Sequence, residues 1–337
     1  MSNSHVTRYA NSLRLKRKKG VKISKNRIIL DGLSAKEFYH PQDKFYLEKV
    51  KAIKGFDLIV SKFFEYGIEK IFYVVNITDN IKISENQFPE LHNMMQEASR
   101  ILEIPAPEFY IDQNPVVNAY TTGVEKPFIC VTSGLIELMT EDEIMAIIGH
   151  ELGHIKCGHI LYQMVARCLK PLFEIISSMT FGIGKFVGVG LELALLQWSR
   201  KAELSADRAG LLTVQDPEIM MNALMKLAGG ASSHLTKINR DALLKQAEEA
   251  QAIDSKDDVK GYIERAGKFL INVFRTHPFP IIRTKEIYDW SRNGEYDKIL
   301  RRETRVSGED EISCPRCGCK NLKTFTFCEK CGLKLWS

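Results

Sequence analysis

The amino-acid sequence predicts an α+β fold that is mostly helical, with one small β-sheet and a separate cysteine-rich unit at the C-terminal end. Three observations lead to this prediction. Apolar residues recur at helical spacing over most of the chain, short runs of β-branched and aromatic residues are confined to residues 105–132, and two Cys-x-x-Cys pairs follow residue 313. At 337 residues, the chain is long enough for two domains.

The chain divides into four parts by composition. Residues 1–25 form a basic N-terminal tail, residues 26–304 the main domain, residues 305–312 a polar linker and residues 313–337 a small ribbon. The basic run at 14–19 is followed by polar residues and not by an apolar segment of signal-peptide length. No secretory signal peptide is therefore predicted.

Composition and charge place the chain among ordinary globular proteins, with 45 % hydrophobic and 26 % charged residues. The net charge of +5 does not by itself indicate nucleic acid as a partner. Five of the eight cysteines crowd between Cys314 and Cys331, which is unlike a secreted disulfide framework. We therefore expect a reducing compartment and a cytoplasmic location, with membrane association left open.

The first half of the main domain is predicted to be helical and then to form strands. Helices are expected to start at Pro41 and at Pro89, because proline is favoured in the first turn of a helix. Strands are predicted at 108–111, 116–123 and 128–132, with a turn at 123–127. An edge strand beside an active-site helix can bind an extended peptide, although these residues also fit an ordinary sheet core.

A helix after these strands carries the pattern His-Glu-x-x-His. Thr140 can cap this helix, and acidic residues occupy its first turn. His150 and His154 are four residues apart, so they share one helix face and can hold one zinc ion together. Glu151 lies next to them, where it can act as a general base on water that zinc has acidified. The alternative is an amphipathic helix whose polar residues face solvent.

A third zinc ligand is expected from a helix that follows residue 198. Glu203 and Asp207 share one face of it, so Glu203 can complete the site and leave a fourth position for water. Asp207 is then suited to hydrogen-bond the outer ring nitrogen of a zinc-bound histidine. The alternative is a salt-bridged surface helix in which both acids pair with arginines at helical spacing.

A different zinc pattern, His-Glu-x-x-His-x-x-Gly-x-x-His, is excluded. It requires glycine and histidine where this chain has Cys157 and Ile160. His159 is out of phase by one residue with that pattern. We therefore expect His159 to support the site from the second shell or to be structural, and not to be the third ligand.

The segment 160–198 is strongly apolar and is predicted to form a helical hairpin with a glycine-rich tip. A membrane span needs about 20 mostly apolar residues. Here Lys170, Glu174, Lys185 and Glu192 interrupt the segment, and each charge at mid-membrane would cost about 3 kcal/mol. We expect a hairpin that is buried in the protein, packed against a second subunit or in contact with a membrane surface. A hairpin inserted into a membrane is the alternative, so oligomerisation and membrane association both stay open.

The C-terminal ribbon is predicted to hold its own zinc ion. The pattern is C-x2-C, ten residues, C-x2-C, and four thiolates at this spacing suit a tetrahedral structural site of Cys314, Cys317, Cys328 and Cys331. Cys319 is a spare that could replace Cys317. A ribbon this short folds only with its metal, so we expect two zinc ions per chain, one catalytic and one structural.

These motifs together resemble the M48 peptidases, the group that holds the CAAX prenyl proteases and the HtpX-like zinc endopeptidases. The resemblance runs from about residue 41 to residue 288. It rests on four features that occur in the family's order: Asn118-Ala119, His150-Glu151-Leu152-Gly153-His154 with His159, Glu203-Leu204-Ser205-Ala206-Asp207-Arg208, and Thr276-His277-Pro278 with Arg283.

The resemblance implies a zincin-like catalytic domain and a role for each matching residue. It implies that His150, His154 and Glu203 bind the catalytic zinc and that Glu151 is the general base. Asn118 and Ala119 resemble the substrate-binding edge strand, His277 a histidine that approaches the active site and stabilises the oxyanion, and Arg283 a structural residue that pairs with Asp207. The better-known members carry clear membrane spans, which the interrupted hairpin of this chain does not clearly match.

Two functions from different classes follow. The first is a zinc metalloendopeptidase that hydrolyses peptide bonds in loosely folded protein segments. The second is a proteolytically inactive binding or adaptor protein that acts through its zinc ribbon and basic tail. The complete set of zinc ligands and the presence of Glu151 favour the first function, because a protein that has lost its catalytic activity is expected to have lost one of these residues.

Overall fold

The computed structural model describes residues 27–53, 55–179, 184–230, 237–252, 279–304, 311–315, 318, 320–322, 328 and 335. Most of these residues are helical, which confirms the predicted fold class. The helices are α1 (Ala35–Phe38), α2 (Pro41–Lys51), α3 (Phe56–Glu65), α4 (Ile68–Asp79), α5 (Pro89–Ile101), α6 (Ser133–Leu138), α7 (Glu141–Lys156), α8 (Ile160–Met179), α9 (Gly184–Val214), α10 (Pro217–Gly229), α11 (Arg240–Ala252), α12 (Pro280–Trp290) and α13 (Glu295–Leu300).

A four-stranded mixed sheet lies before the long helices. Its strands are β1 (Ile81–Lys82), β2 (Glu108–Asp112), β3 (Ala119–Thr122) and β4 (Phe128–Thr132), in the order β1-β2-β4-β3. β2 runs parallel to β4, whereas β3 runs antiparallel to β4. Among the described strands β3 therefore forms one edge of the sheet, and it packs beside α7.

The predicted strand 116–123 is three residues too long at its start. Val116 and Asn118 give their backbone carbonyls to the Thr132 side chain instead of entering a regular ladder with β4. The short strand β1 was not predicted. Only two of its residues pair with β2, which is too few for an alternating pattern to show in the sequence.

The zinc-motif helix begins as the sequence predicts. The Thr140 side chain accepts a hydrogen bond from the Glu143 backbone N–H, and the Glu143 carboxylate accepts one from the Thr140 backbone N–H. This reciprocal cap satisfies two of the backbone donors that a helix leaves unpaired at its start. It fixes where α7 begins and so which of its residues face α9.

Helices α7 and α9 pack unusually closely because α7 presents glycines to α9. A Cβ atom on Gly153 would lie 2.6 Å from the Cβ of Ala209 and 3.1 Å from the Cα of Ala206. A side chain at this position would force the two helices apart. The glycine therefore allows the backbone of α9 to approach the face of α7 that carries the two histidines.

The long helix α9 links two parts of the hydrophobic core. Leu191 and Trp198 pack with α2, α3 and α8, whereas Ala209 and Leu212 pack with α5, α7, the sheet and α10. Glu203 lies between these two groups along the helix, so its carboxylate is buried where the two parts of the core meet.

The predicted hairpin is formed by α8 and the first part of α9. The return helix does not stop near residue 198 but continues without a break to Val214, so one helix carries both the apolar segment and Glu203. Within the part of the chain that the structure describes, no helix is both long enough and apolar enough to cross a membrane.

Several predicted features lie outside the described residues. These are the basic tail 1–25, most of the linker 305–312, His277, Cys317, Cys319 and Cys331. In the C-terminal part, β5 (Glu311–Ser313) and β6 (Lys320–Leu322) form an antiparallel hairpin, and Cys314 and Cys328 are buried.

Candidate metal centre

Three side chains on α7 and α9 converge at a buried point. The Nε2 atoms of His150 and His154 are 3.2 Å apart. The Glu203 carboxylate places one oxygen 3.5 Å from His150 Nε2 and the other 3.3 Å from His154 Nε2. All three side chains are at most 2 % exposed. Within the described residues, this is the one group of histidine, cysteine and acidic side chains that can hold a metal ion.

The spacing of these donor atoms fits zinc. Zinc–nitrogen and zinc–oxygen bonds are about 2.0–2.2 Å long, so two ligands of a tetrahedral site stand about 3.3–3.6 Å apart. The separation of the two histidine nitrogens, 3.2 Å, is close to this edge length. Each of the two Glu203 oxygens lies at a similar distance, 3.3 or 3.5 Å, from one of the histidine nitrogens. Two imidazoles and one carboxylate are also a donor set that catalytic zinc sites use, and they leave one position for substrate or water.

The ring nitrogen of His150 that points away from the cluster contacts a carboxylate, which in turn pairs with a guanidinium. Its Nδ1 lies 2.9 Å from Oδ1 of Asp207. Arg283 on α12 donates from Nε to Asp207 Oδ2 at 2.7 Å and from Nη2 to Oδ1 at 2.5 Å, and its Nη1 lies 3.0 Å from Glu203 Oε2. Burial is the largest single influence and would raise the pKa of Asp207, but the charge and hydrogen bonds of Arg283 together with His150 outweigh it and lower that pKa. Asp207 is therefore an anion.

The ring nitrogen of His154 that points away from the cluster contacts a second histidine. Its Nδ1 lies 3.0 Å from Nδ1 of His159, and Nε2 of His159 lies 3.0 Å from Oδ2 of Asp43. Asp43 also accepts hydrogen bonds from Trp198 Nε1 at 2.9 Å and from Ser205 Oγ at 2.6 Å. Burial favours the neutral acid, but His159 and the two further donors outweigh it and lower the pKa of Asp43.

The two histidines differ in charge as long as no metal is bound. Burial lowers the pKa of both. For His150, hydrogen bonds to Asp207 and Glu203 reverse this effect and raise the pKa to about 9. For His154, burial prevails over Glu203 and lowers the pKa to about 4. A proton and a zinc ion compete for the same lone pair of a histidine, so protonation of His150 opposes zinc binding.

Glu151 is buried beside the cluster and is held by the sheet. Thr121 on β3 donates from Oγ1 to Glu151 Oε2 at 2.5 Å. The hydroxyl also lies 3.3 Å from the Glu151 backbone carbonyl. The edge strand and the candidate base are therefore in direct contact, which places any peptide that pairs with β3 next to Glu151.

The predicted substrate-binding residues lie at the start of that edge strand. Ala119 is the first residue of β3 and pairs with Val131. Asn118 precedes it, and its backbone exchanges hydrogen bonds with Thr132. Ala119 and Thr121 are two residues apart, so they share the face of the strand that is turned to α7. Substrate binding by Asn118 and Ala119 stays a prediction.

The sequence did not single out several residues around the site. Asp43 lies in the first turn of a helix, where acidic residues are common because they favour the positive end of the helix dipole, so nothing in the sequence indicated a further role. Thr121 lay in the predicted edge strand but without a role. Ser205 and Trp198 carry no spacing signal, because their contacts with Asp43 join segments far apart in the chain. Gln163 meets His154 across the turn between α7 and α8.

Comparison with known proteins gives a consistent set of relatives. The sequence model of peptidase family M48 matches residues 85–291 of this chain, a region that includes the cluster, Glu151 and Arg283. The chain is 38 % identical to the plastoglobule-localized metallopeptidase 48, chloroplastic, of Arabidopsis thaliana over 288 residues, which is 85 % of this chain and 81 % of that protein.

Bacterial proteins named as protease HtpX homologs also match. The one from Burkholderia multivorans is 26 % identical over 64 % of this chain and 79 % of its own length. The one from Tropheryma whipplei is 31 % identical over 44 % of this chain and 60 % of its own length. No solved structure gave a significant match.

Proposed function

This chain belongs to peptidase family M48, and on that premise we propose that it is an endopeptidase in which His150, His154 and Glu203 bind zinc and Glu151 is the general base. The observation that carries the proposal is the buried cluster of two histidines and one glutamate, whose donor atoms are close enough to hold one metal ion and lie beside the Glu151 carboxylate that Thr121 orients. The family itself makes the chain a zinc metallopeptidase.

The residues of this chain would divide the chemistry as follows. Bound zinc would polarise the scissile carbonyl and acidify the attacking water. Glu151 would take the proton from that water and deliver it to the leaving amine, with Thr121 keeping its carboxylate in one orientation. Asp207 and Arg283 would keep His150 oriented. We also propose His277 as a donor to the developing oxyanion, on the family resemblance alone.

The proposed substrate is an extended protein segment. β3 forms an edge of the described sheet, and its residue Thr121 touches the proposed base. A peptide that pairs with this strand through its backbone would pass beside Glu151, with Asn118 and Ala119 at one end of the pairing register. Backbone pairing favours loosely folded substrates, because a folded segment already uses its own hydrogen bonds.

Zinc content and peptide cleavage, measured together, test the proposal. We expect Glu203→Gln to lose the zinc of the cluster and casein cleavage. Glu151→Gln should keep the zinc and lose cleavage by about 100-fold or more, since a general base contributes on that order. A parent protein that holds no zinc at the cluster and never cleaves casein would support the alternative, a binding or adaptor protein.

We further propose that the C-terminal ribbon binds a second, structural zinc ion through Cys314, Cys317, Cys328 and Cys331. The burial of Cys314 and Cys328 beside the β5–β6 hairpin supports this. Cys314→Ser should reduce the zinc content from two ions per chain to one without changing the cluster. An unchanged content of one ion in the parent and in this variant would refute the second site.

The location and assembly of this protein stay predictions. The Arabidopsis relative is named for plastoglobules of the chloroplast, so that comparison does not support the cytoplasmic location expected from the sequence. Contact of segment 160–198 with a membrane surface and oligomerisation also stay predictions. Sedimentation of the purified protein with and without lipid vesicles would test both.

A further inference from the structure

Asp43 is a buried carboxylate with an unusual set of partners. It lies in the first turn of α2, is 0 % exposed and is outside the region that matches the family description. The Trp198 indole N–H can only donate to it, and Ser205 donates through its hydroxyl. Its third neighbour, His159 Nε2, lies 3.0 Å from Oδ2 but off the line of a regular hydrogen bond. An ionised carboxylate can only accept, so we infer that this nitrogen carries a proton.

For the neutral form of His159, this contact selects one tautomer. When Nε2 of a neutral imidazole carries the proton, Nδ1 has a lone pair and can only accept. Nδ1 of His159 lies 3.0 Å from Nδ1 of His154. His154 must therefore carry its own proton on Nδ1 and donate it to His159.

The proton on Nδ1 leaves a lone pair on His154 Nε2. That atom lies 3.2 Å from His150 Nε2 and 3.3 Å from Glu203, so the lone pair is directed into the cluster. A metal ion binds an imidazole nitrogen only through such a lone pair. With the opposite tautomers, His154 Nε2 would carry a proton and could not be a ligand.

We propose that Asp43 is a positioning residue that selects, through His159, the tautomer in which His154 binds zinc. This inference rests on the proposed function, since it takes His154 as a ligand. It assigns a role to a residue of α2 and accounts for the burial of three polar side chains, Asp43, His159 and Ser205, in an otherwise apolar region around Trp198.

Gln163 adds one requirement to this arrangement. Its side-chain amide lies 3.2 Å from His154 Nδ1. In the structure the atom that faces His154 is the amide nitrogen, Nε2, which can only donate, so with a proton on His154 Nδ1 two donors would face one another. The relay therefore requires that the amide oxygen of Gln163 faces His154, which a half-turn of the amide achieves with the same shape.

The test compares Asp43→Asn with Asp142→Asn in the full chain. The amide of D43N can donate to His159 Nε2, which would reverse both tautomers. Asp142 is also a buried acid, but it pairs with Arg27 at the opposite end of α7. We expect D43N to bind zinc 10–100-fold more weakly, as removal of an outer partner of a metal ligand typically does, and D142N to bind it like the parent.

The tautomer itself is measured by NMR on protein with 15N-labelled histidine. In the parent, His159 should be protonated on Nε2, and in D43N on Nδ1. A purely structural role of Asp43 would leave this signal unchanged. A parent protein in which His159 carries its proton on Nδ1 would overturn the relay, and this result does not depend on whether D43N folds.

The zinc measurement gives a second way to overturn the proposal. If D43N folds, reverses the His159 tautomer and still binds zinc within about twofold of the parent, the tautomer does not govern binding. Failure of the proposed function has a different signature. In that case the parent itself has no zinc at the cluster and no casein cleavage, whereas failure of the relay alone leaves both intact.

Discussion

The two proposed zinc-binding histidines are supported from behind in different ways. His150 contacts a carboxylate directly, and that carboxylate is clamped by Arg283. His154 reaches its carboxylate, Asp43, only through the ring of His159. We call these the charged arm (His150, Asp207 and Arg283) and the relay arm (His154, His159 and Asp43).

Both arms orient a zinc-binding histidine, but we expect them to contribute differently to the stability of the fold. The charged arm contains a permanent buried cation, so removal of its carboxylate leaves that charge without its main partner. The relay arm holds the His159 ring between two polar neighbours, and removal of the Asp43 carboxylate leaves unsatisfied polar atoms but no fixed charge. Both arms should matter for zinc, but the charged arm should matter more for folding.

Asp207→Asn is expected to have the largest effect on stability. Breaking a buried ion pair from one side typically costs about 3–5 kcal/mol, whereas loss of the buried hydrogen bonds in Asp43→Asn should cost about 1–3 kcal/mol. Urea unfolding with a zinc chelator present measures both variants without the contribution of the metal. Equal losses in the two variants would contradict the distinction between the arms.

A double-mutant cycle between Asp207→Asn and Arg283→Met sharpens the same comparison. Because the two side chains share two short hydrogen bonds, their effects on the free energy of unfolding should not add, with a coupling on the order of 1–3 kcal/mol. The corresponding cycle between Asp43→Asn and Arg283→Met should be close to additive, because these residues belong to different arms. Coupling of the same size in both cycles would show that the arms act as one unit.

Gly153→Ala tests the feature on which both arms depend, the close approach of α7 and α9. The added methyl group would collide with Ala209, so we expect a loss of stability of about 1–3 kcal/mol and weaker zinc binding. Gly229→Ala is the matched control, since a Cβ atom at that helical position meets nothing within 4 Å. It should be neutral or slightly stabilising. Unchanged zinc affinity in G153A would mean that helix spacing does not set the ligand geometry.

Thr121→Val should have the smallest effect and should spare both arms. The variant keeps the shape of the side chain but loses the hydrogen bond to Glu151. A hydrogen bond to a charged group is worth about 1.5–3 kcal/mol, so kcat should fall by about 10- to 150-fold. Zinc content should stay near that of the parent, and the free energy of unfolding should fall by no more than about 1.5–3 kcal/mol. A loss of zinc in this variant would place Thr121 in the support of the metal and not of the base.

The sequence by itself determined the features that depend on neighbours along the chain. The cap at Thr140, the helix that carries His150 and His154, and the shared face of Glu203 and Asp207 all follow from helical periodicity, which acts over a few residues. The mostly helical fold with a small sheet was predicted for the same reason. Strand ends and the short β1 were missed, because pairing between strands sets them.

Only the tertiary structure decided which polar side chains meet. Asp43 is an ordinary first-turn acid in the sequence of α2, and His159 is one of two histidines near the end of the motif. Their contact depends on the way α2 packs against α9 and on the turn between α7 and α8. Such contacts join distant segments through the shape of the whole core, and no local pattern records them. The sequence also allowed Asp207 to lie on a solvent-exposed helix face. The structure instead buries it in an ion pair with Arg283 of another helix, a contact that depends on helix packing.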